Sequence, residues 1–386
     1  MNIAILISTL SGGGAERVAS ILGNHYVDKG NNVYYFLGDY RYQTKYQVKG
    51  TVVNTGIKNS FRGSPGDLIS LIRSACIMRK YKKKYRIDVS ISFMEEFNFI
   101  NVLSRRKEKV ILRICTILSQ RPELVGAIYD RHLIQAVYNR ADKVVVMTDY
   151  ALHEMAEVYH VNRKKIIKIP NPAILDRRSK TDRPWIYGDK TIICVGRLED
   201  IKQHDIAIRA FSTVAEQVKE ARMLILGEGP RKRYLESLIR KLCLQDKVFL
   251  LGFQKDITYF LENSRVFLMT SKTEGFPNGM IEAMAAGLPV VSIASSGAPQ
   301  EILGCMQQAV DRAVMARYGI VTPFLISSES TDVREGERIL GNAVLKMLED
   351  DSLCQHYVEM SKKRTRHYAY EKIMRKWDNL IGGIQR

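Results

Sequence analysis

No apolar run in the 386 residues approaches the eighteen or so positions that a membrane-spanning helix needs. The segment from Ile3 to Ile7 is apolar, but no Lys or Arg precedes it and no small-residue cleavage site follows cleanly. It reads as a strand rather than a secretory signal. The six cysteines, Cys76, Cys115, Cys194, Cys243, Cys305 and Cys354, lie far apart, and there is no C-x-x-C. That spacing speaks against a zinc or redox motif, and a disulfide scaffold does not fit this size. The thiols are expected to be reduced, small hydrophobic residues. The seven His show no metal-ligand spacing, and short repeats, low-complexity tracts, zinc fingers and basic zippers are absent.

What is present is a globular composition, 46% hydrophobic and 26% charged. At about 150 residues per domain the length fits two or three domains. Lys and Arg number 59 against 41 Asp and Glu, a net charge of +18, which points to an anionic partner. The excess is uneven: residues 1–175 hold 27 basic and 14 acidic residues, net +13, and the remainder 32 and 27, net +5.

Short apolar runs alternate with helix-forming stretches. Strands are predicted at 3–7, 32–37, 88–93, 109–114 and 143–147, with helices at 15–28, 67–83, 123–139 and 150–159. This alternation predicts an α/β domain with a mostly parallel sheet. Pro170 and Pro172 open a break, and the polar stretch 176–189 reads as a linker. The pattern then restarts, with strands at 191–195, 223–226, 248–251, 266–269 and 289–293 and helices at 205–219, 231–242 and 278–286. Terminal helices are predicted at 335–348, 353–364 and 370–381. The domains are therefore 1–175, a linker at 176–188, and 189–366, followed by a last helical segment at 367–386.

Three places carry chemistry. Gly12, Gly13 and Gly14 lie between a strand and a helix, where glycine lets backbone N–H groups approach a phosphate. An ordinary tight turn explains them equally well, because Arg17 stands where a dinucleotide fingerprint has its third glycine. Arg197 and Lys202 follow a strand directly, at the edge where open α/β sheets bind ligands. They suit a diphosphate, or a solvated turn in which they pair with Glu199 and Asp200. Glu274 and Glu282 stand eight positions apart. Glu282 is flanked by Ile281, Ala283, Met284 and Ala285, so if buried it needs a partner, for which a ribose diol is suited. Glu274 suits a sugar hydroxyl or the start of the following helix.

Taken together these motifs resemble retaining glycosyltransferases of family 4, which have the GT-B fold. The resemblance covers nearly the whole chain. It rests on Gly13-Gly14-Ala15-Glu16-Arg17, on Gly196-Arg197-Leu198 with Lys202, on Leu226-Gly227-Glu228-Gly229-Pro230 and on Leu251-Gly252-Phe253 with Asp256. It rests also on Glu274 with Glu282, on Ala286-Gly287-Leu288-Pro289-Val290-Val291 and on Gly297-Ala298-Pro299-Gln300-Glu301-Ile302. It implies two Rossmann-like domains facing across a cleft, the last helix crossing back to the N-terminal, acceptor-binding domain. Arg197 and Lys202 would bind the donor diphosphate, Glu282 the ribose and Glu274 the transferred sugar. Phe253 would lie at the base, Phe276, Pro277, Asn278 and Gly279 would offer amides to sugar or phosphate, and Gly13 and Gly14 would approach the diphosphate. Glu274, Arg197 and Lys202 are the catalytic candidates.

The resemblance implies transfer of a hexose or acetamido-hexose from a nucleoside diphosphate, with uracil the expected base, to a hydroxyl with retention. No nucleophile stands out, in keeping with a same-face mechanism in which positioning and charge stabilisation dominate. Asp-x-Asp does not occur, so no metal and no cofactor are expected. One departure concerns the position after 110–114, where relatives carry His or Asn and this chain has Cys115 or Thr116; Arg113 could substitute as a contact, but a buried-strand or surface role is favoured for it. The segment 304–318 reads as inserted. The basic residues Arg79, Lys80, Lys82, Lys83, Lys84 and Arg86 end a helix whose apolar side is expected to be Leu68, Leu71, Ile72 and Ala75. With Arg105, Arg106, Lys107 and Lys109 they point to docking on the inner face of an anionic membrane, to reach a polyprenyl-diphosphate-linked or other saccharide acceptor; a merely solvated helix face is the alternative. Two rivals remain: a nicotinamide-dependent oxidoreductase, which the missing third glycine opposes, and a nucleic-acid binder, which only the charge favours. No nucleic-acid partner is expected.

Overall fold

The computed structural model describes residues 1–38, 46–57, 65–120, 130–175, 184–307 and 310–384. The chain divides into two compact units, Met1–Pro172 with Glu371–Arg386, and Ala173–Tyr370. Ala173 is clipped to the second unit, its N–H donating to the Tyr368 carbonyl at 2.8 Å beside a bridge to Ala369.

Unit 1 holds seven parallel strands, β1 (Asn2–Ile7), β2 (Asn32–Leu37), β3 (Thr51–Asn54), β4 (Val89–Phe93), β5 (Lys109–Arg113), β6 (Lys143–Val146) and β7 (Ile166–Lys168). Their order is β3-β2-β1-β4-β5-β6-β7. The central strands are buried on both faces, β4 at every position including Ser90 and Ser92, as a sheet covered by helices on both sides requires. The helices are α1 (Gly14–Asp28), α2 (Pro65–Lys84), α3 (Glu95–Leu103), α4 (Arg131–Tyr138) and α5 (Asp149–His153), the last running on as a π-turn over Glu154–Val158.

Unit 2 repeats the plan. Its strands are β8 (Thr191–Val195), β9 (Arg222–Leu226), β10 (Val248–Gly252), β11 (Val266–Met269), β12 (Thr273–Glu274), β13 (Val290–Ile293), β14 (Ser296–Gly297), β15 (Val314–Ala316) and β16 (Gly319–Thr322). Seven form one sheet, β10-β9-β8-β11-β13-β16-β15, in which only β15 is antiparallel, while β12 and β14 pair apart. Helices α6 (His204–Gln217), α7 (Lys232–Lys241), α8 (Ile257–Glu262), α9 (Asn278–Ala286), α10 (Ala298–Leu303), α11 (Glu335–Glu349) and α12 (Asp351–Thr365) surround it. The final helix, α13 (Tyr370–Ile384), belongs to unit 1 from Glu371 onward. It buries Ile373, Met374, Trp377, Leu380 and Ile381, one stripe at helical spacing. Asp378 on its other side takes His25 at 2.9 Å and Lys29 at 2.7 Å.

Several expectations need correction. In α2 the buried face is Leu71, Ala75 and Met78, whereas Leu68 and Ile72 are exposed. Lys82 does not join the basic surface: it is buried, 2.8 Å from Glu108 and donating to the Asn101 carbonyl at 2.8 Å. Of the expected linker, 176–183 lies outside the described residues, while Trp185 packs on Tyr187, Tyr259 and Phe260 within unit 2. The first part of the helix expected at 123–139 also lies outside, and the described part is α4. The inserted segment supplies the edge strand β15, with 308–309 outside the described residues.

Candidate functional site

Among the parallel strands the order reverses between β1 and β4 in unit 1 and between β8 and β11 in unit 2. In open α/β sheets ligands bind beyond the strand ends at such switch points. In unit 2 the loop after β8 carries Arg197 and Lys202, and the segment after β11 leads through β12 to Glu274 and α9. Lys202 Nζ lies 2.6 Å from Glu274 Oε1. The Lys272 N–H donates to the Ile201 carbonyl at 2.8 Å, and the Thr270 hydroxyl to the carbonyls of Lys202 and Gln203. The switch point thus holds the two side chains together by backbone bonds as well as by charge.

Glycines let the neighbouring loops close on one another. A Cβ on Gly227, whose φ is +148°, would stand 1.9 Å from the Gly196 carbonyl oxygen, and one on Gly229 2.4 Å from that of Leu198. Bonds from Gly196 N–H to Leu226 and from Leu198 N–H to Glu228, at 3.0 and 2.9 Å, complete the cradle. Gly279, in the first turn of α9, lies against the end of β8, a Cβ there standing 3.4 Å from the Val195 carbonyl oxygen. Pro277, at the cap position of α9, makes no side-chain cap bond, and the dipole of α9 favours an anion at this end.

The remaining candidates fall as follows. Arg197 is largely exposed and pairs with Glu199 at 2.7 Å, while Asp200 pairs with Arg231 at 3.1 Å, so the local ion pairs of a solvated turn are partly realised. Glu282 is buried on α9. Phe253 is half exposed beyond β10. Phe276 and Pro277 are buried, Phe276 meeting Tyr368 edge to face, and Asn278 opens α9. Gly13 caps α1 and Gly14 begins it, at the switch point of unit 1. Among the described residues no group of three or more His, Cys, Asp or Glu gathers as metal ligands would.

Two residues of the unit 2 loop carried no signal in the sequence. Gln203 has φ +48°, unusual without glycine, and is held there by its amide, which donates to the Thr270 and Leu325 carbonyls and accepts from the Ser327 N–H. His204 is buried against the backbone of Gly196 and Arg197. Burial, and then the Lys202 charge, lower its pKa to about 4, so it adds no positive charge at neutral pH.

At the unit 1 switch point Met94 has φ +70° and leads into buried Glu95, which accepts from the Thr116 hydroxyl at 3.0 Å. The Thr9 hydroxyl donates to Glu16, also at 3.0 Å. Burial pushes the Cys115 thiol up to about 11, so it is no nucleophile. Arg113 takes the buried-strand role and not the surface one. It is fully buried between the rings of Phe93 and Trp377, and Nη2 donates to Asn171.

Comparison with known proteins agrees with this plan. The family profile described as Glycosyltransferase Family 4 matches residues 12–177, and that for Glycosyl transferases group 1 matches 177–307. An uncharacterized glycosyltransferase of Methanocaldococcus jannaschii is 33% identical over 264 residues, 64% of each chain. A Campylobacter jejuni protein named N-acetylgalactosamine-N,N'-diacetylbacillosaminyl-diphospho-undecaprenol 4-alpha-N-acetylgalactosaminyltransferase is 26% identical over 96% of each chain. Among solved structures, a Rickettsia africae glycosyltransferase superposes with TM-score 0.75 at 16% identity over 100% of this chain and 98% of its own. An Anabaena protein in complex with UDP and glucose does so with TM-score 0.72 at 17% identity over 98% and 99%. Both show the fold, GT-B.

Proposed function

Because the chain belongs to glycosyltransferase family 4, we propose that it moves a hexose or N-acetylhexosamine, with retention, from a UDP-sugar to a hydroxyl of a lipid-linked saccharide. The observation that carries this reading is the Lys202–Glu274 pair at the unit 2 switch point, with the start of α9 and buried Glu282 following it in the chain. Lys202 and Arg197 take the diphosphate, the α9 amides meet its oxygens, Glu282 holds the ribose diol, and Glu274 holds a sugar hydroxyl. Phe253 adjoins the base, and Phe276, Pro277, Asn278 and Gly279 shape the sugar subsite; within unit 1, Gly13 and Gly14 at the start of α1 are assigned to a phosphate contact.

The chemistry assigned to these groups is positioning and charge stabilisation. The bond from the anomeric carbon to the diphosphate oxygen breaks. Negative charge grows on that oxygen, and Lys202, Arg197 and the helix dipole stabilise it without a metal. The acceptor hydroxyl attacks from the same face and passes its proton to the departing diphosphate. The alpha linkage in the Campylobacter relative's name supports retention, since an α-linked donor then gives an α product.

That relative's name also records a diphospho-undecaprenol acceptor, which supports a lipid-borne acceptor here. Among the described residues no helix is long and apolar enough to cross a membrane. Access to such an acceptor is assigned to the basic first unit, docked peripherally on the inner face of the cell membrane. Glu16, Glu95 and Thr116, at the unit 1 switch point, are the groups we propose for the acceptor's sugar hydroxyls.

The test is incubation with a UDP-sugar panel and polyprenyl-diphosphate-linked saccharides in the presence of EDTA. The expected product carries the new sugar in the α configuration, at a rate within about twofold of that without chelator, as a barrier met by fixed protein charges requires. A β product, or activity that needs a divalent cation, overturns the corresponding part of the reading.

A further inference from the structure

Unit 1 has a second feature at the opposite edge of its sheet, where β5 and β6 begin. A solvent-open cavity of about 490 Å³ is lined there by Arg79, Val102, Leu103, Arg105, Arg106 and Arg140. This lies within the range of small-ligand sites, roughly 300–1,000 Å³. Four guanidinium groups converge on it, and the acids nearby answer little of their charge. Asp142 is engaged by Arg105 at 3.0 Å. Glu108 points inward, to Lys82 at 2.8 Å and the Arg106 N–H at 3.0 Å.

Two of the arginines build the cavity and two face into it uncommitted. Arg79 donates to the Arg105 carbonyl, and Arg105 donates to the Arg140 carbonyl at 2.7 Å. The Arg106 and Arg140 side chains have no hydrogen bond or ion pair among the described residues. Free guanidinium forks match phosphate oxygens two at a time.

The surface leading to the cavity says which phosphate. Along α2, Ile72, Cys76, Arg79 and Lys83 recur at steps of four, three and four, and all are exposed. Leu68, Ile69 and Ile72 are 52%, 72% and 54% exposed at one end of this helix, and Lys80, Lys83 and Lys84 are exposed at the other. Leu103, in the cavity wall, is exposed too. Unpartnered branched side chains beside cations suit the boundary between headgroups and acyl chains, and a free anion in water would make no use of them.

We propose that this arginine cavity binds the headgroup phosphate of an anionic phospholipid while the exposed face of α2 rests on the bilayer. The inference rests on the reading that the enzyme works at a membrane, and it names the contact that brings it there.

The experiment is flotation of the full chain with phosphatidylglycerol vesicles and with phosphatidylcholine vesicles. The cavity variant is Arg106→Ala/Arg140→Ala, and the charge-matched control is Arg233→Ala/Lys241→Ala on α7. At about one tenfold step or less per basic residue near an anionic surface, the cavity variant is expected to lose roughly thirtyfold in phosphatidylglycerol binding. The control should stay within about twofold, and phosphatidylcholine should bind neither. Unchanged binding of the cavity variant overturns the proposal, as does an equal loss in the control. A rise in melting temperature with soluble glycerol phosphate that the cavity variant lacks, without any loss of vesicle binding, assigns the cavity to a free phosphate and likewise overturns it. The UDP-induced rise in melting temperature is read in the same samples. Its retention in the cavity variant shows an intact fold, and its absence from the wild type counts against the donor reading alone.

Discussion

Lys202 and Glu274, 72 positions apart, meet at 2.6 Å and tie together the two loops that flank the switch point of the second sheet. As they stand, each neutralises the other. On the proposed reading, a diphosphate arriving at the start of α9 would compete for Lys202 and free Glu274 to face a sugar hydroxyl. Lys202→Ala is therefore expected to lower kcat/KM for the donor by about a hundredfold, the scale of a hydrogen bond to a charged group. Glu274→Gln is expected to lower kcat while UDP affinity changes less than about threefold, since its contact is made to the sugar. Steady-state kinetics with direct UDP titration separates the two. Loss of UDP binding with kcat preserved in Glu274→Gln contradicts the assignment.

Glu282 is buried between Ile281 and Ala283, and its assigned role is to accept from the two ribose hydroxyls. Calorimetry should show UDP bound about tenfold more tightly than 2'-deoxy-UDP by the wild type, for one lost hydrogen bond to a charge. Glu282→Gln should erase most of that difference. Equal affinities in the wild type would take the ribose away from Glu282.

Gln203 tests a strained backbone. Its φ of +48° costs about 1–2 kcal/mol for a residue with a Cβ, and its amide makes three hydrogen bonds across the loop. Gln203→Ala loses the bonds and keeps the strain, whereas Gln203→Gly loses both. Urea unfolding should find both variants destabilised and Ala below Gly by about 1 kcal/mol. Ala equal to or above Gly would show that the loop relaxes.

His204 gives the stability a pH dependence of known sign. Its folded pKa lies near 4 and its ordinary value is 6.5, because burial and then Lys202 disfavour the imidazolium. Between these values the unfolded chain binds more protons, so stability falls as pH falls from 6.5 toward 4, on the order of 3 kcal/mol in all. His204→Gln should flatten that part of the curve in denaturant titrations at fixed pH. An unchanged slope would assign it to other groups.

Much of the fold was legible because both sheets are buried on both faces. Apolar runs such as 191–195 and 266–269 can be little else than central strands, and both appear where the pattern puts them. Helix α3 was not legible: Glu95 to Val102 are all buried, so polar and apolar positions show no helical period. β3 and β7, of four and three residues, are too short to carry a pattern. The orientation of α2 was misread because Leu and Ile stand on two adjacent faces, and spacing alone does not choose between Leu71 and Ile72. Lys82 looks like any member of its basic run, and only the fold reveals Glu108 waiting for it. In the candidate site, residues within strong motifs, Arg197, Lys202, Glu274 and Glu282, were legible. Gln203 and His204 were not, since a positive φ and a buried neutral imidazole leave no mark on composition or spacing. The arginine cavity joins residues 79, 105, 106 and 140, which only the packing of α2 and α3 brings together.

The most direct test of the account is a metal-free thermal-shift series with UDP, GDP, NAD and a short DNA duplex on the wild type, Lys202→Ala and Glu282→Gln. At 100 times its dissociation constant a ligand specific for the folded state adds about 2.7 kcal/mol, well within reach of such an assay. The account predicts a rise with UDP that shrinks in both variants and no rise with NAD or DNA. A response to NAD or DNA with none to either nucleoside diphosphate would contradict it.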